Sequence, residues 1–353
     1  QPLLRRALLA LDNAADEIMV EAGVLSHPGS GRSARFGELA DAAAAQQVPQ
    51  EVLLKDPDEF RLIGRRLPRK DSPEKINGSA IFTMDVQLPG MLTAVVIHPP
   101  RFGARLRSFD PSAAKAVAGV KHVVQIPSGV AVVGRDFWSA KRGRESLQVE
   151  WDENDAFALS SAQILEQYRA LAAKPGAVAR SEGDAAGTLA KAARVLEAEY
   201  SVPYLAHAAM EPMDCVARID ADGCEIWNGE QMQTGDQHAI AGALGIKPEQ
   251  VRIHMLYAGG SFGRRANPQA DYVLEAVHIA KALPPGIPIK LIWSREDDMR
   301  AGYYRPLYLH RLRAGLDAAN QALTWEQRIV GQSIMAGTAF ESVMVKDGID
   351  QTS

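Results

Sequence analysis

Gly259-Gly260-Ser261-Phe262-Gly263-Arg264-Arg265 is the stretch on which the reading of this chain turns. It follows an apolar, β-rich run at 251–256 and precedes a helical pattern at 269–283, which begins near Pro268. Glycines between a strand and a helix let backbone approach an anion closely. A helix N-terminus and two arginines add positive potential suited to phosphate. A tight turn carrying two exposed arginines accounts for the same residues more plainly, and the local pattern leaves both readings open. The turn is not a Rossmann fingerprint, because its third glycine is misplaced and no βαβ series surrounds it. No Gly-Lys-Ser/Thr follows, so it is not a Walker A loop either. Those two failures argue against NAD and ATP.

Outward from the turn, strand patterns are expected at 195–202, 215–219, 225–227 and 289–292, and a helix at 234–244. An antiparallel pair is expected from 308–316 and 323–330, joined by 317–321. Further upstream, 160–173 reads as a capped helix and 174–187, with Pro, Gly and scattered charge, as a connection. Short β-rich runs bounded by Gly and Pro recur at 80–86, 92–97, 120–126 and 130–133. Helix patterns lie at 110–118, with Asp110 as cap and Pro111 at the first helical position, and from 137 to 143; a closing strand is expected at 147–151. Near the start, 3–20 repeats apolar residues at helical spacing, and 36–45 reads as a short helix. The basic run at 55–75 is interleaved with Asp56, Asp58, Glu59, Asp71 and Glu74, which reads as a solvated linker rather than a nucleic-acid patch. Strands and helices mixed in this way indicate an α+β fold.

The 353 residues suggest two or three domains, at about 150 residues each. Hydrophobic residues make up 46% and charged residues 23%, which excludes wholesale disorder. A net charge of −4 gives no global attraction to nucleic acid. No apolar run reaches the roughly 18 residues that a membrane span needs. Two cysteines, Cys215 and Cys224, exclude a disulfide scaffold and any cysteine-ligated iron–sulfur cluster within the chain; two ordinary thiols are expected, with one disulfide between them as the alternative. The chain begins at Gln1 without a signal peptide and ends in a polar stretch, and both ends read as cut.

Three other segments have residues suited to chemistry. Trp227-Asn228-Gly229-Glu230-Gln231-Met232-Gln233-Thr234-Gly235 sits at a strand end; Gln231 offers a neutral donor and acceptor, while a polar turn with Thr234 capping the next helix is the plainer reading. Within 204–215, His207 and Glu211 are spaced i, i+4, but no HExxH is present and Pro212 argues against a continuing helix, so a packed structural segment is preferred to zinc. In 293–300, Ser294 reads as an N-cap with Glu296, Asp297 and Asp298 in the first turn. No Gly-x-Ser-x-Gly elbow is present, and hydrolase chemistry has no support.

Together these segments resemble the large, molybdenum-binding subunit of the xanthine dehydrogenase and aldehyde oxidase family. They are most similar to its isoquinoline 1-oxidoreductase β-subunit branch, which also contains membrane-associated aldehyde dehydrogenases of bacteria. Lys75-Ile76-Asn77-Gly78-Ser79-Ala80-Ile81-Phe82-Thr83-Met84-Asp85, followed by Leu88-Pro89-Gly90-Met91-Leu92, resembles the entry to the family's α/β hammerhead domain. Residues 195–214 and 231–265 resemble its first molybdopterin-binding domain, and 294–317 the continuation. Ser261 stands where many relatives have Gly, and Arg264-Arg265 replaces the Gly-Lys of the xanthine dehydrogenase branch.

The resemblance implies an N-terminal remnant and linker at 1–74, a hammerhead domain at 75–152, a helical connection at 153–190 and an incomplete molybdopterin-binding domain at 191–353. It implies that Gln231 lies near an oxo ligand of molybdenum. It further implies that Gly259, Gly260, Ser261, Phe262, Gly263, Arg264 and Arg265 hold a molybdopterin cytosine dinucleotide. The expected reaction is oxidation of aldehydes or N-heteroaromatic compounds, with water as oxygen source. The family's Glu base lies far downstream, beyond Ser353, so no Glu here, Glu211 included, takes that part. Expected partners are a small [2Fe–2S] subunit, the C-terminal remainder of the large subunit and a cytochrome c acceptor. The expected location is the periplasm, with the cytoplasm as the alternative. A non-catalytic scaffold of the same fold and a metal-free nucleotide- or phosphate-binding protein are the competing readings.

Overall fold

Seven of the short apolar runs pair edge to edge in one mixed sheet. Its order is Val251–Met255, Gly223–Asn228, Asp214–Asp220, Ile289–Ile292, Leu92–Ile97, Gly129–Gly134 and Val120–Ile126. The pair of Val251–Met255 with Gly223–Asn228 is parallel, as is that of Ile289–Ile292 with Leu92–Ile97; the other neighbours are antiparallel. Gly129–Gly134 is buried along its whole length, because both faces are covered. Val130 and Val132 pack toward the helix Phe137–Glu145, while Ala131 and Val133 join the larger core on the other face. In that larger core, Val273, Ala276, Val277 and Ala280 of the helix Asp271–Lys281 meet Cys215, Ala217, Ile289 and Leu291. The helix Gln233–Leu244 adds Ile240 and Ala241.

A second sheet, Ala322–Gly331, Tyr308–Leu316 and Arg194–Val202, is antiparallel throughout. The helix Ser161–Ala172 covers one of its faces with Ile164, Tyr168 and Ala172. Ser160 starts that helix with a reciprocal capping box to Gln163, as its sequence predicts.

The structure, a computed structural model, describes residues 17–48, 50, 51 and 54–352, in two units, Gln1–Ile76 and Asn77–Ser353. In the first unit, Met19–Glu21, Val24–His27 and Arg32–Arg35 form a small antiparallel sheet around Leu25 and Ile18. The helical pattern expected at 3–20 lies outside the described residues up to 16, and its end is strand, not helix. The run at 55–75 is mostly exposed loop, with Asp71 held by Arg69 and Lys75.

Both sheets belong to the second unit. The segments expected as hammerhead and cofactor domains share the seven-stranded sheet, three strands coming from 92–134 and four from 214–292. The strand expected at 80–86 does not form. The Asp85 carboxylate accepts the Phe82 amide at 3.0 Å and turns the chain into a 3-10 helix, Thr83–Asp85. The helix expected at 110–118 is confined to Ser112–Lys115, because Asp110 still belongs to the strand Arg105–Asp110. Among the described residues, no helix is long and apolar enough to cross a membrane.

Candidate cofactor-binding site

The site grows from the parallel strand pair at the sheet edge. Val251–Met255 and Gly223–Asn228 run side by side, so their C-terminal ends release 256–263 and 229–231 at the same edge. In open sheets with helical cover, that end is where ligands bind. The two segments then stay in contact. The Leu256 amide donates to the Asn228 carbonyl at 3.0 Å, and a Cβ on Gly229 would lie 2.8 Å from the Tyr257 carbonyl oxygen. Only glycine permits that approach.

The turn itself is braced by Glu211. Its Oε2 accepts the Gly259 amide at 2.7 Å, and its own amide donates to the Gly259 carbonyl at 3.1 Å. A Cβ on residue 259 would sit 2.5 Å from the Glu211 Cβ. Beyond this brace the chain enters the left-handed region at Gly260 (φ 105°), Phe262 (φ 56°) and Gly263 (φ 99°). Phe262 is a side chain in a conformation that favours glycine, and it is 64% exposed. Among the described residues, the backbone amides of Gly260, Ser261, Phe262 and Gly263 donate to no protein acceptor. Successive free amides in such a turn form an anion-binding concavity. The Ser261 hydroxyl accepts the Arg265 amide at 3.0 Å and donates to the Gln231 side-chain oxygen. The structure thus brings Gln231 to the turn, although 30 residues separate them.

The two arginines do not face outward, and neither the phosphate-facing nor the exposed-arginine reading holds for them. Arg264 grips Asp271 through both terminal nitrogens, at 3.1 and 2.6 Å, with its guanidinium 5.5 Å from the Trp293 ring centre and 5.7 Å from that of Tyr303. The Arg265 side chain has no solvent exposure. It reaches Glu211 Oε2 at 3.1 Å, Asp214 Oδ1 at 3.3 Å and Asn228 Oδ1 at 3.4 Å, and donates to the carbonyls of Gly260, Glu211 and Pro212. Their charges neutralise buried carboxylates and hold the turn in shape. Sequence reasoning missed Glu211 as the brace and Arg265 as its partner, since the residues that claim them lie about 50 positions away.

Around this anchor sit further buried acids. Burial, with Glu211 nearby, pushes the Asp214 carboxyl well up against the pull of Arg265. Glu230 and Asp236 are also pushed up, chiefly by burial. Glu211 is committed to Gly259 and Arg265, and among the described residues no group of three His, Cys, Asp or Glu side chains is arranged to hold a metal ion. His207, half-buried, is shifted down by burial and by the charges of Arg264 and Arg305. Thr234 does not cap its helix; Met232 occupies that place without a side-chain bond. Ser294 does cap, accepting the Asp297 amide at 3.3 Å.

Phe262 and Gly263 also border a cavity of about 1850 Å³, lined elsewhere by Phe102, Trp151, Tyr303 and Tyr304. On its wall, Glu275 accepts from Trp293 Nε1 at 2.8 Å, from the Ser128 hydroxyl at 2.6 Å and from His98 Nε2 at 2.7 Å. Burial opposes the His98 imidazolium, but the Glu275 carboxylate outweighs it and the net shift is upward.

A family profile described as molybdopterin cofactor-binding domain matches residues 171–345. The isoquinoline 1-oxidoreductase subunit beta of Brevundimonas diminuta is 34% identical over 355 residues, covering 88% of this chain and 45% of that protein. The aldehyde oxidoreductase molybdenum-binding subunit PaoC of Escherichia coli (strain K12) is 26% identical, covering 75% of this chain and 39% of that one. The crystal structure of quinoline 2-oxidoreductase from Pseudomonas putida 86 shares the fold with a TM-score of 0.59 at 20% identity, over 74% of this chain and 38% of that chain. The chain therefore spans less than half the length of these relatives.

Proposed function

Because the chain is homologous to part of the molybdopterin-binding large subunits of the xanthine dehydrogenase and aldehyde oxidase family, we propose that it holds molybdopterin cytosine dinucleotide for an aldehyde- or N-heteroaromatic-oxidising enzyme. The observation that carries this reading is the row of four free amides from Gly260 to Gly263, beside the Gln231 carboxamide. Those donors fit the anionic oxygens of such a group, and they need no cationic side chain to do so. When bound, the cofactor supplies the two-electron redox chemistry by which a substrate gains oxygen from water.

The chain's own residues hold and orient. The Gly260–Gly263 amides donate toward anionic ligand atoms. Gln231 adds a neutral amide whose oxygen is already fixed by Ser261. Glu211 and Arg265 keep the turn rigid, so the amides are pre-aimed. No proton abstraction is assigned to this chain: the Glu211 carboxylate serves the Gly259 amide and Arg265 through Oε2 and the Met84 amide, at 3.5 Å, through Oε1. The large aromatic-walled cavity beside Phe262 supports a flat organic substrate. Cys215 and Cys224 are two buried thiols and do not supply the four ligands of a cluster; that electrons leave through a separate [2Fe–2S] subunit rests, in this reading, on the family resemblance. The remaining half of the large subunit supplies the base, a cytochrome c takes the electrons, and the complex works in the periplasm; these three points rest on the family resemblance.

The test is elemental analysis of the complex purified through this chain, with nucleotide release in acid. Near-stoichiometric molybdenum with a cytidine nucleotide is the expected result. Nucleotide without molybdenum would favour a phosphate-binding protein, and neither would favour a scaffold.

A further inference from the structure

Glu230 and Asp236 are 3% and 2% exposed, and they flank Gln231 in the chain. Glu230 ends the segment leaving the strand Gly223–Asn228; Asp236 lies in the first turn of the helix Gln233–Leu244, its amide bonded to the Met232 carbonyl at 2.9 Å. The two carboxyl groups lie within hydrogen-bond reach of each other.

Among the described residues no cation bonds to either carboxylate, and the Arg265 charge that pulls on Glu230 is already committed elsewhere. Arg265 donates to Asp214, Glu211, Asn228 and three carbonyls, and Arg264 to Asp271. Asn228 Nδ2 gives its shorter bond, 2.9 Å, to the Tyr272 hydroxyl and a longer one, 3.3 Å, to Glu230 Oε1. Glu230 Oε2 is sealed from solvent with no protein donor among the described residues. The other titratable groups facing the pair are Asp271, toward Asp236, Arg265 and the Tyr272 hydroxyl, toward Glu230, and the Cys215 thiol, toward both. Two buried carboxylates whose one nearby cation already serves Glu211 and Asp214 cannot both stay ionised.

We propose that Glu230 and Asp236 are positioning residues for Gln231: they share one proton between their side chains, and this bond ties the strand end carrying Gln231 to the first turn of the following helix. The shared proton gives Glu230 Oε2 its missing partner and leaves one negative charge where two would stand. It holds both ends of the 230–236 loop, so Gln231 meets Ser261 and the free amides in one geometry. Burial pushes both groups up; Asp236 raises Glu230 further while the bond from Glu230 lowers Asp236, which is the asymmetry of a pair whose proton rests on Glu230. The role of Gln231 at the cofactor belongs to the function proposed above, but the shared proton does not depend on it.

Two measurements on the purified 353-residue chain test this without metal. Infrared difference spectra at pH 6 should show a buried carboxylic-acid carbonyl band in the wild type that is absent from Glu230→Gln and Asp236→Asn, where an amide N–H replaces the proton. Hydrogen exchange of peptides covering 229–235 and 259–265 should quicken about tenfold in Glu230→Ala, the factor for losing one hydrogen bond worth about 1.4 kcal/mol. Glu230→Gln should restore the slow rate. If Glu230→Ala does not fold, Asp236→Ala and Asp236→Asn give the same comparison from the other side. Identical acid bands in wild type and Glu230→Gln, or exchange in the alanine variants at the wild-type rate, would overturn the proposal. A complex without molybdenum would overturn the parent reading alone and leave both results standing.

Discussion

Replacing Arg265 with Met removes the charge at the centre of the site while keeping much of the side chain's volume. The guanidinium is fully buried and serves the Glu211 and Asp214 carboxylates and Asn228 at 3.1 to 3.4 Å. Removing one partner of a buried ion pair costs about 3–5 kcal/mol, because the remaining charge stays buried without compensation. For a unit of this size about 4 kcal/mol lowers Tm by about 10 °C. Urea unfolding should show the loss as a lower midpoint at unchanged slope. The deficit also has a pH signature. Asp214 is already raised by burial, and Arg265 is what pulls it down. Without that pull the folded variant binds a proton at Asp214 more tightly than the wild type does. Its stability therefore recovers as pH falls toward the ordinary carboxylate range, about 4, and the gap to wild type is widest above neutrality. A loss below about 1 kcal/mol at pH 8, or a gap that does not narrow on acidification, would refute this account of the anchor.

Gly259→Ala should cost about 1–3 kcal/mol in urea unfolding, because its Cβ would stand 2.5 Å from the Glu211 Cβ and push the brace away. His98 pairs with Glu275 and is shifted up, so its contribution is fully present below its ordinary pKa of about 6.5 and fades as pH rises through the higher folded value. His98→Gln should accordingly lose more stability against wild type at pH 6 than at pH 9. Burial pushes the Cys224 thiol up to about 12, and Cys215 up as well. Neither should react with a thiol reagent at pH 8 until denaturant is added, when both should titrate.

Periodicity and turn chemistry made much of the fold legible. Strand runs such as 195–202 and 289–292, and the Ser160 and Ser294 caps, appear within a residue or two of where the pattern puts them. These features depend on neighbours in sequence. The unread parts depend on distant partners. The run at 80–86 has strand composition, yet the Asp85 carboxylate turns it, and buried Thr83 then accepts the Gly229 amide at 3.3 Å across 146 residues. Two adjacent arginines after a glycine turn look outward in sequence, but Asp214, Glu211 and Asp271 draw them inward. Gln231 and the 259–263 turn are joined through Ser261, a contact that only the family resemblance foreshadows. Nothing in the local pattern marks Glu230 and Asp236 as a buried pair, because each looks like an ordinary polar turn or helix residue until the sheet closes over it.

The central claim, that the free amides at 260–263 hold the molybdenum cofactor, is tested most directly by molybdenum content of the assembled complex with Gly260→Val. A side chain at φ 105° distorts the turn and intrudes on the backbone's approach to the ligand. Wild-type complex with near-stoichiometric molybdenum, and a folded Gly260→Val complex with little or none, is the predicted result. Equal molybdenum in the two complexes would contradict it.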